Sequence, residues 1–295
     1  MKNNTFWQGK LEKQKDSWCT RCVQHSFATY WWHSESDSLT VAFFIFIFAN
    51  QSFLTKTAEK VSNNTPICVH FLVCFASLFE EVSMHTCPLC QNQRTHQFFE
   101  DKRREYLQCE KCSLVFVNPD QRLDAETEKA HYDLHENNPE DVGYRHFLSR
   151  IADPIAERIS PQSNGIDFGC GPGPTLSLML EETGHNMALY DLYYHPDTSV
   201  LERQYDFMTA TEVIEHLYHP DMVWKQWLNL VKPGGWIGLM TKMVIDVEAF
   251  QSWHYKNDPT HVVFFSRETF QFLAERDKLE LEFIGNDVIL LRKAQ

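Results

Sequence analysis

Gly165-Ile-Asp-Phe-Gly-Cys-Gly-Pro-Gly173 is the stretch that decides the fold. Ile166 and Phe168 alternate as the buried side of a strand. Gly169, Gly171 and Gly173 then free the backbone to turn and let a ligand come close to the main chain. Pro174 suits the first position of a helix predicted over Thr175–Thr183, with Gly184 at its C-terminal end. Strand, glycine turn and helix in that order open a doubly wound α/β domain. Two nucleotide motifs are excluded. The dinucleotide fingerprint GxGxxG needs a small residue where Pro174 stands, and no GK[ST] follows to make a P-loop.

Working outward, a second strand over Asn186–Tyr190 ends in Asp191, where an acid faces the cleft and can accept hydrogen bonds from both hydroxyls of a ribose. Tyr205–Ala210 reads as a further strand. A helix is predicted from a cap at Asp221 through Val231, with Val223, Trp224, Trp227, Leu228 and Val231 on its apolar face. Trp236–Thr241 reads as the next strand, and Ser266 as the cap of a helix over Arg267–Glu275. Leu279–Ile284 and Asp287–Leu291, joined across Gly285-Asn286, read as a terminal hairpin.

These residues resemble the class I S-adenosylmethionine-dependent methyltransferases. Asp167-Phe-Gly-Cys-Gly-Pro-Gly173 is similar to their first motif, and Asp191 to their ribose-binding acid. Tyr205-Asp-Phe-Met-Thr-Ala210 is similar to their fourth strand and Leu230-Val-Lys-Pro-Gly-Gly-Trp236 to the turn before their fifth. The resemblance spans about residues 161–295 and implies a Rossmann-like sheet whose last strand is antiparallel. It implies S-adenosylmethionine held by Asp167, Gly169, Cys170, Gly171, Gly173, Asp191, Thr211 and Glu212. One departure stands out: between Asp191 and Tyr205 there is room for only a stub of the third strand and its helix, and the acid that reads the adenine amino group is not evident.

Upstream, Cys87-Pro-Leu-Cys90 and Cys109-Glu-Lys-Cys112 are separated by eighteen residues. Two CxxC turns bring four thiolates onto one tetrahedral ion, and a connector of this length folds as a short hairpin between them. The spacing predicts a structural Zn²⁺ ribbon, closed to catalysis by its four sulfur ligands. Leu114–Val117 reads as the ribbon's last strand, ended by Asn118-Pro119-Asp120. Gln121–Ser160 is polar, acidic and helical in period, with breaks expected at Pro139 and Pro154. It reads as helices that link ribbon to domain and lie over the ligand cleft.

A second site follows the fourth strand in Thr211-Glu212-Val-Ile-Glu215-His216. On a helix Glu212, Glu215 and His216 share a face, and two carboxylates with an imidazole favour Mg²⁺ or Mn²⁺. Asp258-Pro-Thr-His261 puts a further histidine on a loop. The two segments resemble the ExxEH-plus-histidine site of small-RNA 3′-end 2′-O-methyltransferases and the EH segment of ubiquinone-pathway O-methyltransferases. The resemblance implies Glu212, Glu215, His216 and His261 as ligands of a divalent ion. The plainer alternative is that the glutamate caps or ion-pairs and the histidine touches cofactor or substrate. His216 and His261 are the leading candidates for base or ligand, with His254 in Trp253-His254-Tyr255 behind them.

The chain of 295 residues carries 27 Lys and Arg against 40 Asp and Glu, a net charge of −13 that repels phosphate backbones and argues against nucleic-acid binding. Residues 1–83 are charge-balanced, with seven basic and seven acidic side chains, and the remainder carries the whole imbalance. The early segment has one glycine and one proline, and its apolar runs at Val41–Ala49 and Ile67–Phe79 fall short of the ~18–20 residues of a bilayer span. It reads as an upstream extension with Met84 as the working start, or as a membrane-associating leader.

The division expected is therefore an unassigned 1–83, a ribbon over 84–119, a helical linker over 120–160 and the methyltransferase domain over 161–295. The function expected is cytoplasmic methyl transfer to oxygen of a small molecule. Alternatives are an RNA-end 2′-O-methyltransferase, using a basic patch such as Lys102-Arg103-Arg104, a sugar C-methyltransferase, and a non-catalytic cofactor-sensing interaction module.

Overall fold

The computed structural model describes residues 85–133 and 137–295. The expectation of an upstream extension or leader falls on residues that lie outside the described ones. The strand that opens the domain is β4 (Asn164–Phe168), preceded in the chain by β1 (Thr95–Glu100), β2 (Glu105–Cys109) and β3 (Val115–Val117). Two helices stand between: α1 (Ala125–Tyr132) and α2 (Val142–Ala156). After β4 come α3 (Thr175–Glu182), β5 (Asn186–Tyr190), β6 (Tyr205–Thr211), α4 (Pro220–Leu230) and β7 (Val231–Met240). The chain closes with α5 (Val247–Ser252), β8 (Val263–Phe264), α6 (Arg267–Asp277), β9 (Leu279–Ile284) and β10 (Val288–Lys293).

Among the described residues the larger sheet has the order β5-β4-β6-β7-β10-β9. The first four strands run parallel, and β10 inserts antiparallel between β7 and β9. The alternation along β10 shows why both faces must be covered. Val288 and Leu290 point into one core, Ile289 and Leu291 into the other. On the first face α2 and α3 bring Leu148, Ile151, Ile155, Leu176 and Leu180 onto Phe207 and Met240. On the second, α4 and α6 bring Trp224, Trp227, Phe270 and Leu273 onto Ile166, Met208 and Ile237. This is the expected Rossmann-like architecture with its terminal antiparallel hairpin. The third strand is missing: residues 192–204 form turns closed by an Asp191–His195 bridge and a 3-10 turn at Thr198–Glu202.

Three local expectations need correction. Pro154 does not break α2, which runs on to Ala156. Sitting in the last turn, the proline forfeits a single helical hydrogen bond, while Ile151, Ala152 and Ile155 stay anchored in the core. Asp221 is not the cap of α4. His219 holds that position with Pro220 as first residue, and Asp221 lies in the first turn, where its charge suits the helix dipole. Pro174 sits one residue earlier than expected, at the N-cap of α3. Ser266, by contrast, caps α6 in a reciprocal box with Thr269.

The cysteine segment forms an antiparallel sheet of its own, but not an independent one. β3 pairs with β8, so Val115 and Phe116 lie opposite Phe264 and Val263. One side of this sheet shares its core with the large domain through Leu107, Leu114 and Phe116 against Phe265 and Phe270. The other side packs Tyr106, Val115 and Val117 on Phe250, Tyr255 and Phe264. Burial of this apolar surface at ~25 cal/mol per Å² binds the two parts into one body.

Candidate active site

The glycine loop leaves β4 with Gly169 at φ +75° and Gly171 at φ +65°, conformations that side chains with a Cβ rarely adopt. A Cβ on Gly169 would also stand 2.5 Å from Val213, and one on Gly173 would stand 1.9 Å from the carbonyl oxygen of Asn137. The loop is pinned to the end of β5, where the Gly169 N–H donates to the Tyr190 carbonyl at 2.7 Å. Asp191 faces the loop. Its Oδ2 accepts the Gly171 N–H at 3.0 Å, and its Oδ1 accepts the N–H groups of Tyr193 and Tyr194 at 2.9 and 3.0 Å. Three backbone donors thus hold the carboxylate at the cleft with lone pairs to spare.

Asp167 lies deeper. Thr209 and Ser177 donate to its two oxygens at 2.8 and 3.1 Å, and complete burial pushes its pKa up to about 6. It braces the floor beneath the loop. Cys170 is also buried, which holds its thiol well above the ordinary range. At the end of β6, Thr211 Oγ1 is buried without a hydrogen-bond partner among the described residues. An orphaned hydroxyl beside such a loop calls for a polar partner from a ligand.

The ExxEH segment does not form the helix that its spacing suggested. Glu212 takes a left-handed φ of +53°, and Ile214–His216 make a single 3-10 turn. Such a conformation is costly for a residue with a side chain and tends to mark functional turns. The turn still gathers three of the four expected groups. Ligand atoms of Glu215, His216 and His261 lie within 4.8 Å of one another. The two imidazole rings meet edge to face with centroids 4.7 Å apart.

Glu212 is drawn aside. Its Oε2 lies 3.1 Å from the Tyr255 hydroxyl, whose single proton is shared between Glu212 Oε2 and Glu215 Oε1. Burial pushes Glu212 up to about 7. Burial, together with the neighbouring Glu212 charge, pushes Glu215 up to about 8. The second oxygen of Glu215 has no partner among the described residues.

Both histidines are oriented by backbone carbonyls. His216 Nδ1 lies 3.2 Å from Thr260 O, and His261 Nδ1 lies 2.7 Å from Tyr255 O. A neutral imidazole that donates from Nδ1 keeps its lone pair on Nε2, the arrangement wanted of a ligand or a base. His254 is not brought in: it is exposed and pairs with Lys242 Nζ at 3.0 Å.

Several residues near the site escaped the sequence reading. Tyr255 joins the two glutamates, and Tyr132 on α1 sets its ring edge against His216 at 5.2 Å. Asn137 packs over Gly171 and Gly173. Tyrosine and asparagine in a polar linker carry no pattern that would have singled them out. Arg104 is the fourth: its position in Lys102-Arg103-Arg104 suggested a surface patch, yet it is buried under the loop that bears His261.

At the far end of the small sheet, Sγ atoms of Cys87, Cys90, Cys109 and Cys112 lie within 4.8 Å of one another. Cys87 and Cys112, and likewise Cys90 and Cys109, approach to 3.5 Å without a disulfide.

A parallel sheet reversed by an antiparallel hairpin, with a glycine turn after its first strand and an acid ending the second, defines the class I S-adenosylmethionine-dependent methyltransferases. Residues 140–282 match the family model described as a methyltransferase domain, and the protein is an S-adenosylmethionine-dependent methyltransferase.

Solved structures are similar in part. A 1,6-didemethyltoxoflavin-N1-methyltransferase from Burkholderia thailandensis, bound to 1,6-didemethyltoxoflavin and S-adenosylhomocysteine, is 15% identical with a TM-score of 0.40, over 68% of this chain and 100% of that one. An O-methyltransferase family protein from the same organism is 12% identical with a TM-score of 0.40, over 58% and 60%. A possible histamine N-methyltransferase from Thermotoga maritima is 12% identical with a TM-score of 0.34, over 51% and 91%. No helix among the described residues is long and apolar enough to cross a membrane.

Proposed function

We propose that this methyltransferase acts on oxygen of a small-molecule acceptor bound beside Glu215, His216 and His261. One observation carries the reading: two imidazoles, each fixed through Nδ1, converge with a buried carboxylate on the turn that leaves β6 next to the glycine loop. Bound S-adenosylmethionine supplies an electrophilic methyl group on a sulfonium. The residues present fit it: Asp191 offers a ribose acceptor beside the Gly169–Gly173 turn, and the Thr211 hydroxyl lacks a partner among the described residues.

This chain's own work is alignment, to which fixed geometry contributes up to ~7–11 kcal/mol, whereas a general base adds roughly 10²–10⁴-fold. His216 or His261 takes the proton of the acceptor hydroxyl at Nε2. Tyr132 packs its ring against His216, with centroids 5.2 Å apart. The net charge of −13 and the burial of Arg104 weigh against an RNA-end substrate.

A second reading of the same cluster is a divalent ion held by Glu215, His216 and His261, favoured by the Glu215 oxygen that lacks a partner among the described residues. The four cysteines fit Zn²⁺, whose closed sulfur shell serves structure. Thiols kept reduced suit a cytoplasmic location. The test is transfer of a tritiated methyl group to catechols, sugar nucleotides, peptides and small RNAs, with and without Mg²⁺. Labelling of a hydroxyl acceptor that is lost in His216→Ala and His261→Ala is the expected result. Transfer only to nitrogen or carbon, or transfer at the native level in both variants, would refute it.

A further inference from the structure

Arg104 belongs to the hairpin turn between β1 and β2, on the cysteine-bearing part of the protein, yet it is only 8% exposed. Its guanidinium donates to four carbonyl oxygens of the loop between α5 and β8. Nη1 reaches His261 O at 2.8 Å and Pro259 O at 3.3 Å, while Nη2 reaches Asp258 O at 3.0 Å and also Lys256 O. Four carbonyls converging on one buried point repel each other unless a cation with several donors sits among them. The loop conformation is therefore conditional on this side chain.

The tie is reciprocal. Asp101, in the same hairpin turn, accepts the N–H groups of Arg103 and Arg104 at 2.8 and 3.0 Å and pairs with the buried Lys256 ammonium at 3.0 Å. Burial opposes that charge, but the Arg103 N–H, the Lys256 ammonium and the Arg104 N–H hold the Asp101 pKa down at about 2. Tyr106 adds its hydroxyl to Lys256 O at 3.3 Å.

The clamped loop supplies both carbonyls that orient the imidazoles: Thr260 O faces His216 Nδ1 and Tyr255 O faces His261 Nδ1. We propose that Arg104 is a positioning residue, through which the cysteine-bearing hairpin sets the ring orientation and tautomer of both His216 and His261. This rests on reading those histidines as the groups that face the acceptor. Lysine is no substitute, because a point ammonium with three donors cannot span the four oxygens that the planar fork reaches.

The test uses the full chain and needs no acceptor. Two-bond ¹H–¹⁵N correlations of the imidazoles, assigned with single-histidine substitutions, report the tautomer of each ring. In the native protein both rings are expected as Nδ1–H. In Arg104→Gln both should move to mixed tautomers, and in Arg104→Lys the change should be smaller but present on both. Arg103→Gln, at an exposed neighbour, should leave both rings as they were. Calorimetric affinity for S-adenosylmethionine should stay within about threefold in all three variants, because Arg104 touches neither the glycine loop nor Asp191.

Should Arg104→Gln fail to fold, Arg104→Lys decides on the same readout. Rings unchanged in the folded Arg104 variants, or changed as much by Arg103→Gln, would overturn the proposal. An acceptor screen without transfer would instead remove the reading of the histidines and leave this readout standing.

Discussion

Two clusters in this protein could each gather an ion, and they are built on opposite principles. The cysteine end has four like ligands from two short turns, at the tip of a small sheet. Its geometry follows from CxxC spacing alone, and four sulfurs leave no position open. The Glu215–His216–His261 cluster has unlike ligands from two distant segments, assembled only when β3 and β8 pair and the 256–261 loop is clamped. On the proposed reading the first would serve stability, and the second would take its shape from the hairpin that carries Arg104.

The largest effect that separates them should come from the cysteines. Structural zinc in small finger peptides contributes roughly 10–16 kcal/mol of folding free energy. Cys112→Ser should therefore drop metal content from about one zinc per chain to near zero by mass spectrometry and lower the unfolding midpoint sharply. A variant with native stability would break the comparison by making the cysteine end dispensable.

Next in size are the histidines. Once an acceptor is in hand, His216→Ala or His261→Ala should lower the rate of transfer by roughly 10²–10⁴-fold while leaving S-adenosylmethionine affinity nearly intact. Brief treatment with a weak chelator that leaves the cysteine-bound zinc in place sharpens the contrast. Loss of transfer that Mg²⁺ or Mn²⁺ restores assigns the second cluster to an ion. Unchanged transfer assigns it to proton transfer alone.

The backbone-built parts of the site were legible in the sequence. Glycines, a proline and a strand-end acid have few alternative uses in that order, and the structure puts Asp191 against Gly171 as the spacing required. The cysteine pairs were legible for the same reason. The ExxEH segment was not. Helical spacing brought Glu212, Glu215 and His216 together on paper, but β6 ends in a left-handed residue that sends Glu212 to Tyr255 instead. Arg104 and Tyr255 were invisible because their partners are backbone carbonyls and carboxylates brought in by the β3–β8 pairing, contacts that no local pattern encodes.

A further predicted effect concerns the floor of the glycine loop. Burial raises Asp167 from 3.8 to about 6 in the folded protein. Between those values the folded state holds a proton that the unfolded chain has released. Stability therefore falls as pH rises through about 4 to 6 and stays at the lower level above it, by up to ~3 kcal/mol. Asp167→Asn should flatten this part of the curve in thermal unfolding, read as the difference between variant and native chain. An identical pH dependence in both would contradict the burial of that charge.

The most direct test of the whole account is titration calorimetry of the full chain with S-adenosylmethionine, alone and as Asp191→Ala. Saturable binding at one site per chain is predicted. Losing charge-assisted hydrogen bonds worth ~1.5–3 kcal/mol should weaken it roughly 10–100-fold in the variant. Heat of dilution only from the native chain, or equal affinity in the two proteins, would contradict the claim that the glycine turn and Asp191 form the cofactor site.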